Sequence, residues 1–98
     1  MKQGLALGHV AIQEARYEDA ASHYANAVQA NPRFSTLYFI QAAALALAGR
    51  AEEARPIAKQ GLELEPDVRV GELFDHALFH RGLMSKLMEG ARLLGLPE

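Results

Sequence analysis

The chain has 98 residues, half of them apolar, and its formal charge at pH 7 is −2. The scattered lysines and arginines argue against a nucleic-acid-binding surface, and the absence of cysteine excludes a disulfide framework and a thiolate zinc site. No apolar run is as long as a membrane span, and the N-terminus has no signal-peptide pattern. We therefore expect a single cytoplasmic domain that binds neither nucleic acid nor membrane.

Apolar residues recur at helical spacing along the first two thirds of the chain, which predicts amphipathic helices. The predicted helices cover residues 2–14, 17–30, 33–48 and 51–64. Asn31-Pro32 ends the second helix and Glu65-Pro66 ends the fourth, because proline cannot continue the hydrogen-bond ladder. Gly49-Arg50 is a C-terminal stop for the third. Pro56 lies inside the fourth helix, where it predicts a local bend or a delayed start.

Two more helices are predicted in the last third, over residues 68–80 and 83–94, with Gly82 marking a break between them. The first has an apolar face formed by Val70, Leu73, Phe74 and Ala77. The second has one formed by Leu83, Leu87, Met88, Ala91 and Leu94. The predicted fold class is all-α.

The first two pairs of helices repeat each other at an offset of 34 residues. The identical positions are Arg16 and Arg50, Glu18 and Glu52, Ala20 and Ala54, and Pro32 and Pro66. An offset of this length is typical of a repeat made of two antiparallel helices. The sequence therefore predicts one structural unit used twice.

With these residues the chain resembles the tetratricopeptide repeat family over residues 4–66. The first repeat matches the family pattern at Leu7-Gly8, Ala20, Tyr24, Ala27 and Pro32, and the second at Tyr38, Ala42, Leu45, Gly49, Ala54 and Pro66. It departs from the pattern at Gly4, Ala11, Gln41, Ala58 and Gly61. The resemblance implies that Gly8, Ala20, Ala42 and Ala54 allow the paired helices to approach closely.

The implied architecture is one α-solenoid domain over residues 1–98, wound as a right-handed superhelix. Repeat one would cover about 1–34, repeat two about 35–68, and capping helices about 68–96. Terminal repeats of such arrays are often atypical because they close the stack against water. The resemblance implies a protein-interaction module rather than an enzyme.

In that family the first helix of each repeat lines a concave groove. The matching positions here are Lys2, Leu5, His9, Ile12, Gln13, Thr36, Phe39, Ala43 and Leu47. Members that bind a chaperone's C-terminal carboxylate use lysine and asparagine, where this chain has Leu5, His9, Ile40 and Ala43. The groove is thus expected to bind an apolar peptide or helix. Alternatively, these residues pack on a neighbouring helix, either in the chain's own third segment or in an adjoining part of a longer protein.

A narrower resemblance concerns residues 44–55, 61–67 and 87–98, which are similar to the C-terminal region of bacterial adenylate/guanylate cyclase-type signalling proteins. It implies the regulatory or dimerisation tail of a longer signalling protein of cyclase or transcription-regulator type. Because the first helical pattern begins without a cap, we expect a truncated chain. The alternative is a free-standing adaptor that holds a peptide.

An uncovered repeat face tends to associate. We therefore expect a homodimer, formed either through the first helix or through the last. In the last helix the candidate residues are Leu83, Met84, Leu87 and Met88.

Polar residues give weaker signals. Glu72, His76 and His80 follow at helical spacing and form a metal-site candidate, but we favour the simpler interpretation that they form an exposed polar face of a capping helix. Four acidic residues lie near the N-termini of the second and fourth helices, where the positive end of the helix dipole favours carboxylates: Glu18, Asp19, Glu52 and Glu53. We predict no catalytic residue, no bound metal and no cofactor.

Overall fold

The computed structural model describes residues 2–76 and 80–98. The described residues form six helices and no strand: α1 (Lys2–Gln13), α2 (Tyr17–Ala30), α3 (Ser35–Leu47), α4 (Ala51–Leu64), α5 (Val70–His76) and α6 (Arg81–Leu93). The predicted all-α class is confirmed, and the arrangement is of the tetratricopeptide type.

The helices pack mainly with their neighbours in sequence. α1 packs on α2, α2 on α3, and α3 on α4, while α6 returns to pack on α3 and, less extensively, on α1. The turns that join α1 to α2 and α3 to α4 are only three residues long, so each joined pair is antiparallel. α3 consequently lies at the centre of the molecule.

The start of α2 and the start of α4 are built alike. Arg16 and Arg50 are the N-cap residues, and each pairs with an acid three residues on, Arg16 with Asp19 at 2.9 Å and Arg50 with Glu53 at 3.0 Å. These carboxylates lie in the first helical turn, where the helix dipole favours negative charge. The structural role predicted for the acidic residues therefore accounts for their position.

The turns before these helices also match. Ala15 and Gly49 are 34 positions apart, and their φ angles of 60° and 81° both lie in the left-handed region. That region suits glycine and is unfavourable for alanine. The predicted stop at Gly49 is thus confirmed, and the first repeat makes the same turn without glycine.

The two repeats fill the space between their helices with different aromatic residues. In repeat one the Tyr24 ring lies over Gly8, where a Cβ would be 2.3 Å from Cε1 of Tyr24. In repeat two Ala58 takes the position of Tyr24, and Phe39 of α3 lies against Gly61 of α4 instead. The departures at Ala58 and Gly61 thus compensate for an aromatic ring that has moved from the second helix to the first.

In the last third of the chain, the break that the sequence predicts at Gly82 lies elsewhere. Gly82 lies in the first turn of α6, and the chain turns at His80, whose backbone is extended and whose Nδ1 accepts a hydrogen bond from the Gly82 amide at 3.1 Å. The predicted helix over 68–80 begins at Val70, and its expected member Ala77 lies outside the described residues. The delayed start expected from Pro56 is wrong, because α4 begins at Ala51 and continues past it.

α6 approaches α3 closely enough for backbone contact. A Cβ at Gly90 would lie 2.3 Å from the carbonyl oxygen of Ala43. Leu83, Leu87 and Ala91 of α6 are buried around this crossing. The C-terminal tail then returns to α5, where the Val70 amide donates to the Pro97 carbonyl at 2.8 Å.

Replacing Gly90 by alanine should destabilise the protein by about 1–3 kcal/mol, because a backbone oxygen cannot move aside as a side chain can. Urea unfolding measures the change, with Ser85→Ala, at an exposed position of the same helix, as the control. At an exposed helical glycine the same change would stabilise by about 0.5–1 kcal/mol. A gain in stability for G90A would therefore contradict the crossing.

Candidate functional site

The predicted groove residues of α1 and α3 are unequally accessible. Ile12, Thr36, Phe39 and Ala43 are buried, Leu5, His9 and Leu47 are half-buried, and Gln13 is exposed. The side chain of Lys2 lies outside the described part of the chain. The buried members are thus not presented on an open groove in this chain.

α6 packs against the predicted groove face at Ala43. Gly90 sits on Ala43, and the Nζ of Lys86 lies 3.3 Å from the hydroxyl oxygen of Tyr17 and 5.9 Å from the centre of its ring. This agrees with the alternative in which the face packs on the chain's own third segment. Partner binding by these residues stays a prediction, and we call the accessible members, Leu5, His9, Gln13 and Leu47, the groove rim.

Phe39 belongs to the contact within repeat two. Its ring lies where a Cβ on Gly61 would meet it at 2.9 Å, and its side chain is 0% exposed. It is therefore part of the interior between α3 and α4.

His9 and Tyr24 form a polar contact between α1 and α2. Nδ1 of His9 lies 2.8 Å from the hydroxyl oxygen of Tyr24, and the rings meet edge to face with centroids 5.6 Å apart. Burial lowers the pKa of the His9 imidazole and raises the pKa of the Tyr24 hydroxyl, because desolvation disfavours the charged form of each group. Both side chains are held neutral near pH 7, which suits a structural contact at the groove rim.

The candidates for self-association on α6 lie mostly inside the protein. Leu83, Leu87 and Met88 are buried and Met84 is half-buried. A homodimer remains a prediction, and a dimer that used these residues would have to expose part of the core.

The metal-site candidate is not a helical face in the structure. His80 lies beyond α5 and caps α6, while Glu72 is exposed on α5. The side chain of His76 lies outside the described residues. Among the residues that the structure describes, no group of three histidine, cysteine, aspartate or glutamate side chains could hold a metal ion.

Sequence reasoning assigned no binding role to two exposed apolar residues of α1. Leu7 is 50% exposed and Val10 is 45% exposed. The available signal was the repeat itself, since their equivalents 34 residues later are Gln41 and Ala44 on the central helix.

Comparison with known proteins supports a relationship of the tetratricopeptide kind. The chain is 37% identical over 62 residues to a tetratricopeptide-containing Hsp70-Hsp90 organizing protein from Triticum aestivum. The match covers 63% of this chain and 11% of that protein. No protein-family model and no solved structure matches the chain. In the described residues, none of the helices has the length and apolar character needed to cross a membrane.

We expect Phe39→Ala to lower the free energy of unfolding by about 3–5 kcal/mol, because it empties the interior beside Gly61. Phe34→Ala is the matched control, since Phe34 is exposed, and its effect should stay within about 0.5 kcal/mol. Urea denaturation of both variants gives the comparison. Equal effects of the two substitutions would refute the placement of Phe39.

The lowered pKa of His9 predicts a pH-dependent stability. The folded state binds this proton less tightly than the unfolded chain does, so the contribution is complete above about pH 6.5 and declines as the pH falls toward the folded-state pKa. Unfolding free energies at pH 7.5, 6.5 and 5.5 test this. The unfolding free energy of His9→Gln should decline less than that of the parent over this interval. Parallel profiles for H9Q and the parent would contradict it.

Proposed function

We propose that this chain is a protein-interaction module of the tetratricopeptide type. The main support is the match at 37% identity over 62 residues, together with two helix pairs built on the same plan. In both pairs an aromatic ring packs against a glycine of the facing helix. A rigid array of this kind presents side chains on fixed helices, and rigid elements position a binding surface well. The proposal assigns no catalytic residue, metal or cofactor to the chain.

The proposed partner is a protein or peptide that contacts the accessible rim of the groove face. This rim consists of Leu5, His9, Gln13 and Leu47. It combines two apolar side chains with two polar ones, as an amphipathic helix or an apolar extended peptide requires. Leu5, His9, Ile40 and Ala43 stand where a carboxylate-binding groove has lysine and asparagine. Since Ile40 and Ala43 are also buried, we do not propose recognition of a chain terminus.

The setting of this module is a separate proposal. A C-terminal regulatory or dimerisation region of a larger bacterial signalling protein, of cyclase or transcription-regulator type, is suggested by the resemblance in residues 44–55, 61–67 and 87–98. A free-standing adaptor is the alternative. The division at about residues 34 and 68 also stays a prediction. Either setting would use the rim defined above.

Site-specific photo-crosslinking tests the rim. A photoreactive phenylalanine analogue is placed at Gln13, and the control places it at Gln60, an exposed glutamine of α4. In the native cells, we expect the Gln13 probe to give a discrete crosslinked polypeptide that the Gln60 probe does not give. Crosslinks of the same pattern from both positions, or none from Gln13, would argue against a partner at the rim.

A further inference from the structure

The contact between α2 and α3 shows what covers one edge of a first helix in this fold. Gln41 and Leu45 of α3 line a crevice of about 260 Å³ together with Ala21 and Ala25 of α2. The α2 side of this crevice carries small residues, Ala21, Ser22 and Ala25, and the carboxylate of Glu18 in the first turn. Ala44, on the same side of α3 as Gln41, is completely buried. The edge of α3 is therefore closed by a helix with a small apolar face.

The equivalent edge of α1 is open. The residues of the first repeat equivalent to Gln41 and Ala44 are Leu7 and Val10. The side chains of these two residues are 50% and 45% exposed. The edge of α1 is thus more apolar than the edge of α3 and yet more exposed. Contact with water alone would favour polar residues on the exposed edge. Leu7 stands where the second repeat has a glutamine, and Val10 stands where it has an alanine. Both positions therefore carry additional apolar surface that only a further contact would bury. We define Leu7, Val10 and Arg16 as the α1 edge.

Arg16 supplies the charged part of the α1 edge. Its equivalent, Arg50, pairs with Glu53 in its own repeat and also reaches across to Glu18 in the first turn of α2, at 3.5 Å. Arg16 makes the matching pair with Asp19 in its own repeat. Its second contact is with Glu14 at 2.8 Å, on the exposed turn just before it. Arg16 is therefore placed to donate hydrogen bonds to a carboxylate of another helix, if that helix packs on α1 as α2 packs on α3.

We propose that the α1 edge binds an amphipathic α-helix with the chemistry of α2. That helix would present alanine-like residues to Leu7 and Val10, and a carboxylate in its first turn to Arg16. The α1 edge is a different surface from the groove rim. The proposal consequently stands or falls separately from the protein-binding function proposed above.

The probe is a synthetic peptide with the sequence of residues 16–31, blocked at both ends, added to the isotope-labelled protein. NMR amide shifts around Leu7, Val10 and Arg16 should move in a saturable manner. The double variant L7Q/V10Q should weaken peptide binding at least tenfold. Leu93→Gln is the control, because Leu93 is 56% exposed on α6, and it should leave the affinity unchanged. Circular dichroism verifies that each variant is folded.

A charge exchange tests the role of Arg16. Glu18→Lys in the peptide should weaken binding severalfold, and Arg16→Glu in the protein should recover most of that loss with the altered peptide. No shift at millimolar peptide would overturn the proposal, and so would shifts confined to the Gly8–Tyr24 contact, where the peptide would be replacing α2. If light scattering shows a dimer that L7Q/V10Q dissociates while the peptide fails to bind, the occupant is a second copy of this chain and the proposed partner helix is wrong.

Discussion

α3 lies between α2, α4 and α6, and the structure depends on the close approach of these three helices to it. Ala42, Ala43, Ala44 and Ala46 make this possible, because their small side chains leave the α3 backbone accessible from several directions. At Ala43 the backbone carbonyl lies against Gly90 of α6, where an added Cβ would be 2.3 Å from the carbonyl oxygen. Contacts at this separation gain dispersion energy over many atoms and leave little room for added volume. The rest of the core is arranged around this one helix.

The two repeats show that the volume between paired helices matters more than which helix supplies it. Repeat one uses Tyr24 of its second helix above Gly8, and repeat two uses Phe39 of its first helix against Gly61. Each ring lies over a glycine of the facing helix, so the packing density is kept while the sequence pattern changes. The change has a consequence for binding. An aromatic residue that resembles a groove anchor in the sequence is an interior residue of the repeat.

The packing of α6 affects two surfaces of the molecule differently: the predicted groove face and the α1 edge. The face of α1 and α3 that was predicted as a peptide groove meets α6 at Ala43, and the groove rim remains half-buried or exposed. The edge of α1 that carries Leu7 and Val10 is uncovered, although the same edge of α3 is closed by α2. Arg16 and Arg50 follow this division, since Arg50 reaches Glu18 in the first turn of α2, whereas Arg16 pairs with Glu14 and Asp19 close to it in the chain. The exposed large apolar side chains of α1 thus lie on the α1 edge.

The sequence by itself determined the helices, their order and their repetition, because these depend on local chemistry. Apolar spacing, the prolines at 32 and 66, Gly49 and the acids after Arg16 and Arg50 each act within a few residues. Only the tertiary structure decided what each apolar face contacts. An amphipathic helix specifies that a face is to be covered but not which helix covers it. The return of α6 onto α3, the inward position of Phe39 and the exposure of Leu7 and Val10 therefore depended on the packing of residues far apart in the chain.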